Sequence, residues 1–121
     1  MSGTAVVRVD VRRDGPVPVC DVQGEMDASN VDTVLERVTE AVEPEAPGLV
    51  LDLARTSYID SAGVRILFEL ARRLRTRRQE LRISVPHDGI VRRVLVLTAL
   101  ADVVPLHDET GDAVVALRRR T

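Results

Sequence analysis

Leu49-Val-Leu-Asp-Leu-Ala-Arg-Thr-Ser-Tyr-Ile-Asp-Ser-Ala-Gly-Val-Arg-Ile-Leu67, LVLDLARTSYIDSAGVRIL, is the stretch on which the fold turns. Its first five residues are a nearly continuous apolar run, the pattern of a strand buried on both faces. Its last seven begin a helical period: from Ser61 to Arg78, Val64, Leu67, Ala71 and Leu74 recur on one side, with Ile66, Phe68 and Leu70 widening it. Between them ARTSYI reads as a loop, and Asp60-Ser61 sits where the helix starts. A buried strand leading through a short loop into an amphipathic helix is the unit of an α/β fold.

Outward from this unit the same alternation continues. Residues 5–11, AVVRVDV, have the two-residue period of a half-buried strand. Asp14-Gly15 marks a turn, and 17–24, VPVCDVQG, reads as a second strand paired with the first as a hairpin. Pro18 implies that part of this second strand lacks a backbone partner. From Asp27 to Val42, Val31, Val34, Leu35, Val38 and Val42 fall at helical spacing, with Asp27 or Ser29 as the cap and Pro44 beyond the end. LRISV at 81–85 reads as a strand. Residues 88–100 read as a helix with Ile90, Val94 and Leu97 on its inner side. DVVPL at 102–106 reads as a short strand, and 108–120, acidic at its start and basic at its end, suits a helix dipole. The expected order is β-β-α-β-α-β-α-β-α: a single α/β domain over residues 1–121 whose mixed sheet carries helices mainly on one side.

Composition narrows the chemistry. Apolar residues make up 45% and charged residues 30% of the 121, an ordinary globular balance. Aromatics are 2%, so Val, Leu, Ile and Ala must fill the core. All 17 basic residues are Arg, which removes any mechanism that needs a lysine, the phosphate-binding P-loop included. A net charge of -2 argues against general nucleic-acid binding. The arginines in ARRLRTRRQELR fall late in a helix, where positive charge offsets the dipole, and no aromatics interleave for base stacking. Cys20 alone can form neither an internal disulfide nor a cysteine zinc cluster, and its apolar surroundings mark it as a core side chain. No apolar run approaches the ~20 residues needed to span a bilayer, and the first residues lack a signal pattern. A cytoplasmic protein with no membrane association is expected.

Ser61 admits two readings on these residues alone. It and Asp60 are favoured helix caps. A helix start also leaves backbone N–H groups without helical partners and favours negative charge, so a phosphate on Ser61 would be accommodated there. Gly63 would let another part of the chain approach the first turn closely. Competing sites are weaker. Asp52, at the end of a buried strand, lacks the lysine and acidic cluster of a receiver phosphoacceptor. His87 and His107 lie in loops without metal spacing, and Ser61 is not in a Gly-x-Ser-x-Gly elbow.

The stretch 49–67 resembles the signature of STAS domains, most closely the bacterial anti-sigma factor antagonists. GEMD at 24–27, LRISVP at 81–86 and VRRVLVLTALADVVPL at 91–106 resemble further segments of that family in the expected order. The resemblance spans essentially the whole chain. It implies a switchable binding module and not an enzyme, with Ser61 phosphorylated by an anti-sigma factor that is also a serine kinase. The unmodified form would bind that partner and free a sigma factor, the phosphorylated form would release it, and a phosphatase would reset the cycle. Transcription regulation of a stress-response kind is implied, with no cofactor on this chain. Asp27, Asp60, Ser61, Ala62, Gly63 and Arg65 are the implied partner-binding residues. An alternative within the family is a scaffold or sensor that binds other STAS proteins or a small ligand. Three positions depart from the family pattern: Ala62 replaces a common second Ser or Thr, Arg65 a small residue, and Ala99 a helix-ending Gly.

Overall fold

The computed structural model describes residues 7–120. In chain order the elements are β1 (Arg8–Asp14), β2 (Val17–Met26), α1 (Val31–Glu40), β3 (Gly48–Asp52), β4 (Thr56–Ile59), α2 (Ser61–Thr76), β5 (Glu80–Ser84), α3 (Ile90–Leu97), a 3-10 turn (Leu100–Asp102), β6 (Leu106–His107) and α4 (Thr110–Arg118). The strands form one mixed sheet in the order β1-β2-β3-β5-β6, with β4 also paired to β2. β1 and β2 are the antiparallel hairpin, and every other pairing is parallel. Ala5 and Val6, the start of the expected first strand, lie outside the described residues.

Period-two alternation divides the core. Val9, Cys20, Val22, Leu49, Leu51 and Ile83 face the layer of α1, α2 and α3. Val17, Val19 and Val50 face the other way, against Ala113, Val114 and Leu117 of α4. Three helices thus cover one side of the sheet and α4 covers the other, which is why β3 carries apolar residues on both faces. β3 pairing begins at Val19, one residue past Pro18, so the missing proline N–H falls where β2 has no partner on that side.

Four expectations need correction. The segment expected as a loop after β3 contains β4, which continues along the edge of β2 beyond β3, pairing Thr56 with Gly24 and Ile59 with Met26. The buried Thr56 hydroxyl secures it by donating to the Val22 carbonyl (2.7 Å). Helix α1 starts at Val31, and neither Asp27 nor Ser29 caps it: the N-cap is Asn30, without a side-chain bond to the helix. On α3 the buried residues are Val91 and Leu95; of the expected three, Val94 packs partly buried against the core, while Ile90 is 53% and Leu97 76% exposed. The strand expected at 102–106 is only Leu106–His107. The N–H groups of Asp102, Val103 and Val104 are used in turn bonds to Ala99 and Leu100, leaving none for a ladder there.

Candidate phosphoacceptor site at the start of α2

The parallel strands β2 and β4 end side by side, with Met26 opposite Ile59. The residues that follow them, Asp27 and Asp60, therefore open two adjacent turns on one rim of the sheet. Asp60 adopts an extended N-cap conformation, and its Oδ1 accepts from the Gly63 N–H (3.0 Å). Its Oδ2 accepts from the Ala28 N–H (3.3 Å), while its own N–H donates to the Met26 carbonyl (3.1 Å). One carboxylate thus satisfies a free donor of α2 and ties the helix to the β2–α1 turn. Asp60, not Ser61, is the cap.

Ser61 is the first residue of α2 and is exposed. Its hydroxyl is not needed to hold the helix, because Asp60 does that. Ala62 is half-buried against the core. Gly63 is buried, and a Cβ there would lie 2.5 Å from Ile59 Cγ1 and 3.1 Å from the Met26 carbonyl oxygen. The small residue is required by the close approach of α2 to the ends of β2 and β4. Arg65 is exposed one turn further along.

Asp27 is half-buried and spends its carboxylate locally: Oδ1 accepts from the Ser29 N–H (2.9 Å) and from the Ser29 hydroxyl. Asn30 closes the same turn, its Oδ1 accepting from the Asp27 N–H (3.1 Å) and its Nδ2 donating to the Glu25 carbonyl (2.7 Å). The structure brings Asp27, Asp60 and Ser61 to one rim, with Arg65 beyond them on α2. Ala62 and Gly63 lie mainly beneath that rim.

The sequence reading missed the surface that continues from this rim. Asp32 and Leu35 of α1 and Arg65, Phe68, Glu69 and Arg72 of α2 line a groove between the two helices. Phe68, expected to widen the buried side, is 38% exposed. Its spacing from Arg65 and Arg72, three and four residues on α2, places the three together and was the available signal. Glu69 accepts from Arg72 (2.6 Å to Nη2) and Arg73 (2.8 Å), which lowers its pKa to about 2.

The remaining candidates lie elsewhere. Asp52 accepts from the Ala54 N–H and the Thr110 hydroxyl. His107 is engaged by Arg82 (Nη1 to Nε2, 3.0 Å), and exposed His87 lies 3.8 Å from Asp108. Cys20 is fully buried, and desolvation pushes its thiol up to about 11. Among the described residues no group of three His, Cys, Asp or Glu side chains could hold a metal, and no helix is long and apolar enough to cross a membrane.

The STAS domain family matches residues 8–113, so the chain belongs to that family. It is 28% identical over 114 residues to the anti-sigma-F factor antagonist RsfA of Mycobacterium tuberculosis, covering 91% of this chain and 87% of that protein. A crystal structure of an anti-sigma factor antagonist from Mycobacterium paratuberculosis superposes with a TM-score of 0.83 at 26% identity, covering 93% of this chain and 95% of that one. The antagonist SpoIIAA in its unphosphorylated form shares the fold, with a TM-score of 0.72 at 19% identity over 93% of this chain and 96% of that one. The family, the mixed sheet and its covering of helices are thus as the sequence led one to expect.

Proposed function

We propose that this chain is an anti-sigma factor antagonist switched by phosphorylation of Ser61. The observation that carries the proposal is the division of labour at the start of α2. Asp60 caps the helix, so the adjacent Ser61 hydroxyl is left exposed and dispensable to the fold. Relatives of similar length named as anti-sigma factor antagonists support it.

In this reading the partner is an anti-sigma factor with serine kinase activity, which docks over Asp27, Asp60, Ser61 and Arg65, with Ala62 and Gly63 shaping the surface from beneath. ATP belongs to the kinase, and this chain needs no cofactor. Phosphate adds up to about two negative charges at the centre of the docked surface. Beside Asp60 and Asp27 that charge repels and must be desolvated on docking, so the complex separates without unfolding either protein. A phosphatase restores the hydroxyl, and the cycle runs in the cytoplasm.

The test is to isolate the protein from its host, map its phosphopeptides, and identify the kinase-type partner that it captures. Phosphate is expected on Ser61 and not on Thr56, Ser57, Ser84 or Thr98. Ser61→Asp should keep the native circular dichroism spectrum and lose about a hundredfold in partner affinity, equivalent to ~2.7 kcal/mol. Ser61→Ala should fold and bind constitutively. Equal affinity of the phosphorylated and unmodified proteins for the partner would overturn the switch.

A further inference from the structure

We infer that Arg65 is the phosphate-pairing residue of this chain: once Ser61 carries a phosphate, the Arg65 guanidinium turns onto it and leaves the docking surface. This rests on the reading of Ser61 as the phosphoacceptor and adds to it the residue that reads the modification from within.

Three observations converge on Arg65. The first is placement. Ser61 and Arg65 are both on α2 at i and i+4, and both are exposed. Residues so spaced are neighbours on one helix face. Side chains on a helix lean toward its N-terminus, so the Arg65 side chain reaches back over the turn that begins with Ser61. The second is availability. Among the described residues Arg65 has no hydrogen-bond or ion-pair partner. Glu69, at i+4 on the far side, already accepts from Arg72 through Nε (3.1 Å) and Nη2 (2.6 Å) and from Arg73 Nε (2.8 Å). The third is the cost of leaving it there. A cation this near a helix start gains nothing from the macrodipole, and past the capping Asp60, whose oxygens are already bonded, the first turn of α2 holds no acidic residue.

The other charged groups around the site are accounted for. Asp60 is occupied by the Gly63 and Ala28 N–H groups, and Asp27 by Ser29. Asp32 of α1, across the groove, is the carboxylate left to compete for Arg65. It carries one charge on another element. A phosphate one turn away carries nearly two, with three oxygens that suit the guanidinium fork.

The consequence is a switch that changes two features at once. The unmodified rim offers a free cation beside a neutral hydroxyl and so fits a partner surface bearing a carboxylate. The phosphorylated rim offers an anion and no free cation. Phosphate therefore removes an attraction as well as adding a repulsion.

The experiment installs phosphoserine at position 61 during synthesis of the protein and follows its second ionisation by phosphorus NMR. No kinase or partner is needed. An isolated phosphoserine has a second pKa near 6. Pairing with Arg65 should lower it by about half a unit relative to Arg65→Ala, roughly threefold in proton affinity, with Arg65→Lys in between. Raising the salt to about 1 M should shrink the difference. Asp32→Ala should leave it in place. Arg65→Ala puts a strong helix former at an exposed position, so its circular dichroism should match the parent. An unchanged pKa in Arg65→Ala overturns the pairing and leaves the phosphoacceptor reading standing. Protein from the host with no phosphate on Ser61 under any condition overturns that reading instead.

Discussion

Helices α2 and α3 both leave the carboxyl ends of parallel strands, α2 after β4 and α3 after β5. Their starts are made differently. At α2 the Asp60 carboxylate takes the Gly63 N–H, its second oxygen takes the Ala28 N–H, and Gly63 packs directly on Ile59 and Met26. At α3 the N-cap is Gly89, at φ 129°, with no side-chain bond to the helix and open space where a Cβ would stand. The α3 start is held instead from one turn in, by Arg92 donating to the Val85 carbonyl (3.1 Å) and to Asp108 (2.8 Å). One start is fixed at its first residue and the other is tethered by a long side chain. The exposed Ser61 hydroxyl therefore stands on a backbone held from the N-cap onward, whereas the first residue of α3 has no such side-chain cap beside it.

The difference can be broken most severely at Gly63. Gly63→Ala places a methyl group 2.5 Å from Ile59 Cγ1, close to the root of a stiff β-branched side chain, and 3.1 Å from a backbone oxygen. Overpacking of this kind costs about 1–3 kcal/mol. At 2.5 Å the upper end of that range, about 3 kcal/mol, applies; the better helix propensity of alanine returns about 1 kcal/mol, so a net loss of about 2 kcal/mol is expected in urea denaturation. A variant as stable as the parent would show that α2 can lift off β4, and that its start is no firmer than that of α3.

Asp60→Ala comes next. It leaves the helix sequence intact and removes both acceptors that join α2 to the β2–α1 turn. Loss of a cap is worth ~1 kcal/mol, and the added loss of the link to Ala28 brings the expected cost to about 1.5 kcal/mol. Hydrogen exchange at the Gly63 and Ala28 amides should rise while that of the α3 amides stays unchanged. Equal acceleration at both helices would mean that the two starts are not independent.

The α3 side should show the pH dependence. His107 on β6 accepts from Arg82 through Nε2, an atom that must be unprotonated. Partial burial and the charge of Arg82 lower its pKa below the ordinary 6.5, and Asp112 and Asp108 only partly oppose them. Between the folded and unfolded values the unfolded chain therefore binds more protons, and stability rises with pH. On acidification the loss begins near pH 6.5 and is complete below the folded value. The effect should be smaller than that of Asp60→Ala, because the ring is partly exposed. Denaturation midpoints at pH 7 and pH 5.5 should differ in the parent more than in His107→Gln, and equal slopes would refute the assignment.

What the sequence disclosed follows the same contrast. β3 and α2 were legible because one is a nearly continuous apolar run and the other keeps a clear period over 16 residues. β4 was not: its four residues are buried at both ends and exposed in the middle, so no alternation marks them as a strand. The inner face of α3 was misread in part because six of its eight residues are apolar, so Arg92 and Arg93 leave a wide apolar arc, of which only Val91 and Leu95 are buried. Asp60 and Ser61 announced themselves locally. That Asp60 is the cap, and that it reaches Ala28 32 residues away, depends on β2 and β4 ending side by side. No local pattern encodes that.

The ends of the two helices are more alike than their starts, and the smallest expected effect lies there. α2 ends through Arg78 at φ 61° and α3 through Ala99 at φ 66°, both in the left-handed region that favours glycine. After α2 the Gln79 N–H reaches the Leu74 carbonyl (2.8 Å) and the Arg78 N–H the Arg75 carbonyl (2.9 Å), a complete Schellman pair. After α3 the Ala99 N–H reaches the Val96 carbonyl (3.1 Å), and the chain then folds into the 3-10 turn. The turn forms with alanine in the left-handed position, so alanine there costs strain and not topology. A left-handed residue with a Cβ costs about 1–2 kcal/mol, and the greater freedom of glycine in the unfolded chain returns about 0.4–1 kcal/mol of that. Ala99→Gly should therefore stabilise the protein by about 0.5 kcal/mol, seen as a higher urea midpoint at an unchanged slope. Arg78→Gly should gain a similar amount, because its backbone is strained in the same way. If Ala99→Gly instead lowered the midpoint while Arg78→Gly raised it, the alanine methyl would be making a packing contribution at the end of α3 that α2 does not need. The likeness of the two ends would then be only one of backbone shape.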